Sequence, residues 1–97
     1  MDSAPLSNNR SDFEIEKNVG FDKSMIEYAK MTILLAIEEY PDDDWKKSDF
    51  VADKFEEKYG NEWVASFIKD GDYRFWYHDY YIKLKYKDYK IKIGKTK

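Results

Sequence analysis

The chain of 97 residues contains no cysteine. That excludes disulfides, thiol catalysis and cysteine metal sites, and it fits a reducing compartment. Histidine occurs once, at His78, and proline twice. The four glycines, Gly20, Gly60, Gly71 and Gly94, are scattered, so no glycine-rich phosphate loop exists. No apolar run approaches the ~18 residues needed to cross a bilayer. Residues 1–10 are polar without an apolar core, so no signal peptide is expected and the simplest localisation is cytosolic.

The scarcity extends to catalytic patterns. His78 lies between Tyr77 and Asp79 with no serine nucleophile in a recognisable spacing, and reads as a strand-end or loop histidine. Asp42, Asp43 and Asp44 are consecutive, whereas a calcium loop alternates its oxygen donors and carries a glycine sixth and a glutamate twelfth. They read as acids at a helix start. Glu38 and Glu39, like Glu56 and Glu57, are adjacent on helices and diverge into solvent. The expectation is no enzyme, no metal and no cofactor.

What the chain has is aromatic side chains and charge. Nine Tyr, six Phe and three Trp make 19% of the residues, enough large apolar surface for one modest core. Charged residues are 38%, and mean hydropathy is −0.87, so the surface is strongly solvated. The net charge of −3 conceals an asymmetry. Residues 1–82 carry 19 acidic and 10 basic side chains, a net of −9, while residues 83–97 carry seven lysines and one aspartate, a net of +6. Lysines there fit the outward positions of strands, where they discourage edge-to-edge aggregation. A contact surface for an anionic partner is the sharper alternative.

Residues 1–19 read as a polar N-terminal tail, in which the alternation of Phe13 and Ile15 with Glu14 and Glu16 allows a short strand around 13–17; the domain proper is expected over 20–97. A first helix is predicted over 23–39, capped by Asp22 or Ser24, with Ile26, Ala29, Ile33, Ile37 and Tyr40 as its apolar stripe and Pro41 as its stop. A second is predicted over 44–59, ending at Gly60, with Val51, Phe55 and Tyr59 on one face, joined by Trp45 and Ala52. The period then falls to two. Trp63, Ala65 and Phe67, then Tyr73, Phe75 and Tyr77, then Ile82, Leu84 and Tyr86, then Tyr89, Ile91 and Ile93 each alternate with other side chains. Asp70-Gly71 and Lys87-Asp88 mark turns. The fold class is α+β: two helices packed on an antiparallel sheet of four to five strands.

One string is more specific. Phe55-Glu-Glu-Lys-Tyr-Gly-Asn-Glu-Trp63 resembles a segment of dynein light chains of the eight-kilodalton class, where a helix ends in Phe-x-x-Lys-Tyr and the next strand opens with Trp. Gly71-Asp-Tyr73 resembles that family's Gly-Ser-Tyr strand opening, Tyr81-Ile-Lys-Leu-Lys-Tyr86 its aromatic third strand, and Lys95-Thr96-Lys97 its Lys-Ser-Gly ending. Met25 and Glu38-Glu-Tyr40 match in place. The resemblance covers about residues 21–97, and divergent dynein-light-chain-like proteins of parasitic flatworms, tegument-associated ones among them, are nearest in style.

The resemblance implies a homodimer in which one strand of each protomer crosses to complete the partner's sheet. Two grooves at the dimer boundary would each accept an extended, often disordered segment by strand addition, the dynein intermediate chain among such clients. It implies a non-catalytic subunit of a microtubule motor complex, cytoplasmic and cytoskeleton-associated. Gly71, Asp72, Tyr73, Arg74, Phe75 and Trp76 would form the groove strand, and Tyr81, Lys83 and Lys85 would present side chains to the client. Trp63, Val64, Tyr81 and Lys83 would lie at the dimer interface, and Thr96 stands where the family carries a phosphorylatable serine.

The departures carry expectations of their own. The family has aromatics at the places of Lys83 and Lys85, and a threonine and a histidine at those of Phe75 and Trp76, so the clients are expected to be acidic. Val64 replaces the histidine whose protonation splits the family's dimer, so no acid-triggered dissociation is expected from that site. A one-residue slip would turn Lys83 and Lys85 into the core, which the cost of burying unpaired charge rejects. Two other readings remain open: a scaffold without the motor link, membrane- or tegument-associated, and a nucleic-acid-binding sheet built on the lysines and aromatics of residues 73–97.

Overall fold

Asp22 stops the incoming chain and starts the first helix. Its carboxylate accepts the Met25 N–H at 2.9 Å and the Ser24 hydroxyl at 3.0 Å, which holds its pKa below the usual carboxylate value, the Met25 bond first. In this computed structural model, residues 12–60, 62–67 and 78–96 are described, with 78 and 96 described by backbone only. Helix α1 runs Lys23–Glu39 and closes with the Tyr40 N–H on the Ala36 carbonyl at 2.9 Å. Its buried line is Met25, Ala29, Thr32, Ile33, Leu34 and Ala36. The expected stripe is thus turned slightly: Ile26, Ile37 and Tyr40 are half-buried flanks. Ala29 and Ala36 are small enough to let the helix sit close, and Thr32 can be buried because its hydroxyl donates to the Ala29 carbonyl at 3.1 Å.

Helix α2 runs Asp44–Tyr59. Asp43 caps it through the Lys46 N–H at 3.0 Å, and Gly60, at φ +97°, ends it. Its buried line is Lys47, Ser48, Val51 and Phe55. Trp45 does not join that face and is 61% exposed. It precedes Lys47 by two residues, about 200° round the helix, so the two cannot share a face. The Tyr28 hydroxyl ties the helices together by donating to the Lys54 carbonyl at 3.1 Å.

Four strands follow the order β1-β3-β4-β2, every neighbour antiparallel: β1 Phe13–Val19, β2 Trp63–Ser66, β3 His78–Tyr86 and β4 Tyr89–Thr96. β3 and β4 form a hairpin whose turn is Lys87-Asp88, with Lys87 at φ +53°. The alternation seen at 13–17 becomes the seven-residue β1, paired with β3 along its length apart from an irregularity between Ile15 and Lys17. Residues 13–19 therefore belong to the sheet, and the boundary drawn at residue 19 moves toward the N-terminus. Phe13 holds the strand down by stacking on Tyr86 at 4.6 Å.

Both helices cover one face of the sheet. Ile82, Leu84, Ile91 and Ile93 are fully buried beneath them, with Trp63, Ala65 and Phe67 from the β2 region. The Ser48 hydroxyl accepts the buried Phe67 N–H at 3.0 Å and donates to the Asp44 carbonyl at 2.8 Å, joining the end of β2 to α2.

Candidate functional site

Because side chains alternate along a strand, burying Ile82 and Leu84 sends Tyr81, Lys83 and Lys85 to the face away from the helices. This is the register expected from the sequence. This open face, exposed at Lys85 and Lys90 but closed over Ser66 and Gly94, which are buried, can be read as cross-strand rows. Glu14, Lys85 and Lys90 form one, Lys17, Lys83, Lys92 and Ser66 a second, and Val19, Tyr81, Gly94 and Val64 a third. Two rows are therefore basic and the third is apolar.

Three of the residues expected to meet a client, Tyr81, Lys83 and Lys85, share this face. Lys83 reaches Glu16 on β1 at 3.7 Å, with both side chains 35% exposed. Burial, and secondarily the Glu16 carboxylate, pushes the Tyr81 phenol up from its ordinary value. The expected groove strand, Gly71, Asp72, Tyr73, Arg74, Phe75 and Trp76, lies outside the described residues. Thr96 ends β4 opposite His78, and both are described by backbone only.

The four residues expected at a dimer interface divide. Val64, Tyr81 and Lys83 are on the open face. Trp63 is on the other, 4% exposed, its ring 5.0 Å from Phe55, 5.7 Å from Tyr80 and 5.9 Å from Phe21. It packs into the core of its own chain.

The acids at 42–44 also have assigned work. Asp43 is the helix cap, and Asp44 holds the buried Lys47 ammonium at 2.9 Å. Among the described residues no cluster of three or more acids and histidines could hold a metal ion. None of the described helices is long and apolar enough to cross a membrane.

Sequence reasoning gave no sign of one concave feature. A cavity of about 350 Å³ opens where β3, β4 and the two helix ends meet, lined by Asp22, Ser24, Met25, Tyr59, Trp63, Tyr80 and Lys95. The Tyr59 hydroxyl and the Trp63 indole nitrogen are buried in its surroundings without a hydrogen-bond partner. The cavity draws its lining from five separate elements and loops, so no local motif announces it.

Two solved structures share this architecture, both of the dynein light chain-like domain of a Fasciola hepatica calcium binding protein. The mercury derivative matches at a TM-score of 0.74 and 13% identity, covering 90% of this chain and 94% of that one. The native form matches at 0.74 and 11% identity, covering 99% and 100%. No protein-family model matches the chain, and no curated protein matches it in sequence. The chain has the dynein light chain-like fold, and the low identity fits a divergent version of it.

Proposed function

From that fold, we propose that the chain is a non-catalytic homodimeric module that holds extended segments of other proteins by strand addition, the dynein intermediate chain among them. The observation that carries this is the sheet itself. Among the described elements the helices cover one face of the sheet only, and Tyr81, Lys83 and Lys85, the residues expected to meet a client, stand together on the other. In this reading a strand from residues 71–76 crosses between protomers, and the client pairs with it above Tyr81, Lys83 and Lys85. Two sites per dimer hold a bivalent client at high effective concentration. The module would work in the cytoplasm, on the cytoskeleton.

A scaffold without the motor link is the second reading. It is favoured by Lys83 and Lys85, which stand where the resembling family has aromatics. Sedimentation equilibrium at micromolar protein, with and without an intermediate-chain peptide, separates the two. A dimer near twice 11.7 kDa that takes up two peptides supports the motor-linked module. A dimer that ignores the peptide leaves the scaffold. A monomer removes the composite groove and both readings with it.

A further inference from the structure

The open face holds an unusual charge arrangement. Lys83 is directly opposite Lys17 on one side and Lys92 on the other, and Lys85 is directly opposite Lys90. Residues so paired stand about 5 Å apart, and like charges at that distance repel. Acidic relief is sparse. Glu16 reaches Lys83 and Glu14 stands directly opposite Lys85, while among the described residues Lys17, Lys85, Lys90 and Lys92 make no side-chain ion pair. A single outward lysine protects an edge; rows of lysines across the middle of a sheet do not serve that purpose, since β3 and β4 are interior strands.

We infer that this face selects extended polypeptide segments carrying carboxylates at alternate positions, acid-x-acid. The inference rests on the groove reading above and names its client. Three features of the molecule set the occupant. First, alternate side chains of an extended segment lie about 6.8 Å apart, the same interval that separates Lys83 from Lys85 and Lys90 from Lys92 along their strands. Each carboxylate then meets one lysine row. Second, the basic patch is small, about 10 Å across three strands, and residues 1–82 of the same chain carry a net of −9. A patch that small pairs with the few carboxylates of a short segment and leaves most of a long polyanion or a charged plane unpaired, beside a chain of net negative charge. Third, a single-stranded nucleic acid needs exposed rings on which bases stack. Among the described residues of this face the only ring is Tyr81, which is half-buried.

The test uses three labelled ten-residue peptides on the full chain, read by fluorescence anisotropy. One carries glutamates at alternate positions, one replaces them with glutamine, and one groups the same glutamates consecutively. The alternating peptide is expected to bind about tenfold tighter than the glutamine peptide, since each exposed lysine–carboxylate contact contributes roughly two- to fivefold. The preference should shrink between about 50 mM and about 200 mM salt, and fall to about two- to fivefold in the double variant Lys83→Gln, Lys92→Gln, which leaves the row of Lys85 and Lys90. That variant removes repulsion and also the half-exposed Lys83–Glu16 pair, two small and opposed effects, so it should melt close to the parent and weaker binding cannot be attributed to unfolding. Equal binding of the glutamate and glutamine peptides overturns the selectivity and leaves the groove reading standing. Binding by none of the three overturns both. Consecutive acids binding as well as alternating ones overturns the spacing argument. Tighter binding to phosphatidylserine vesicles or to oligothymidine, lost in the double variant, overturns the choice of a polypeptide.

Discussion

Lys47 is 1% exposed, and its ammonium lies 2.9 Å from the Asp44 carboxylate one turn back along α2. It also donates to the Pro41 carbonyl at 3.1 Å and sits 5.3 Å from the centre of the Tyr89 ring. The charge is buried but fully occupied, so the two partners should respond unequally to substitution. Lys47→Met keeps the stem and removes the charge, and should change stability by less than about 1 kcal/mol. Asp44→Ala strands a buried ammonium and should cost about 1–2 kcal/mol, less than a fully buried pair because Asp44 is 49% exposed. Denaturant unfolding of the two variants and their double measures this; a larger loss for Lys47→Met would refute it.

Gly20 and Gly60 both have positive φ, at +83° and +97°, yet they should differ in tolerance. A Cβ at Gly20 would stand 2.7 Å from the Asp79 carbonyl and 2.9 Å from the Tyr80 ring, whereas one at Gly60 meets nothing within 4 Å. Gly60→Ala bears the backbone strain alone, about 1–2 kcal/mol. Gly20→Ala adds a clash with backbone that cannot yield, and should cost about 2–3 kcal/mol. Thermal melts that rank the two the other way would sink the argument.

Ser48 and Phe67 lie 19 residues apart and share a buried bond. Ser48→Ala leaves the Phe67 N–H without its partner and should cost about 1–3 kcal/mol. Local opening should follow at that end of β2. Hydrogen exchange at the Phe67 amide is the direct readout, and unchanged protection there would contradict the assigned bond.

Three tyrosines set an alkaline limit. Burial raises the phenols of Tyr28, Tyr59 and Tyr81, with smaller contributions from neighbouring acids. A raised phenol holds its proton more tightly in the folded chain. Its stabilisation is complete below the unfolded pKa of about 10 and is lost as pH rises through the folded value. The denaturation midpoint should therefore fall above about pH 10, alongside the tyrosinate absorbance. Tyr59→Phe should weaken this dependence and, because its hydroxyl has no partner, should leave stability at neutral pH unchanged or raise it by up to about 1 kcal/mol.

Much of the fold could be read locally. Asp22, Pro41, Asp43 and Gly60 punctuate the chain, and α1 and α2 occupy the spans that these residues and the apolar period predict. The register of β3 followed from burial cost, because only one phase keeps lysine in water. The positions of Lys83, Lys85 and Tyr81 on the open face follow from the same argument. The strand at 13–19 was half legible: its alternation is present, but a seven-residue segment cannot hold itself extended, and its partner Tyr86 is more than seventy residues away.

The order of the strands, the pairing of Lys17 with Lys83 and Lys92, the burial of Lys47 and the placement of Trp63 inside its own chain were decided only by tertiary structure. The division has a physical cause. Periodicity, caps and turn residues act within one or two turns of chain, so the sequence alone determines the elements and the face each one buries. Which strand lies beside which depends on contacts between residues far apart in sequence, and those contacts create the lysine rows. No segment read in isolation contains a row, because each row is made of single residues from different strands.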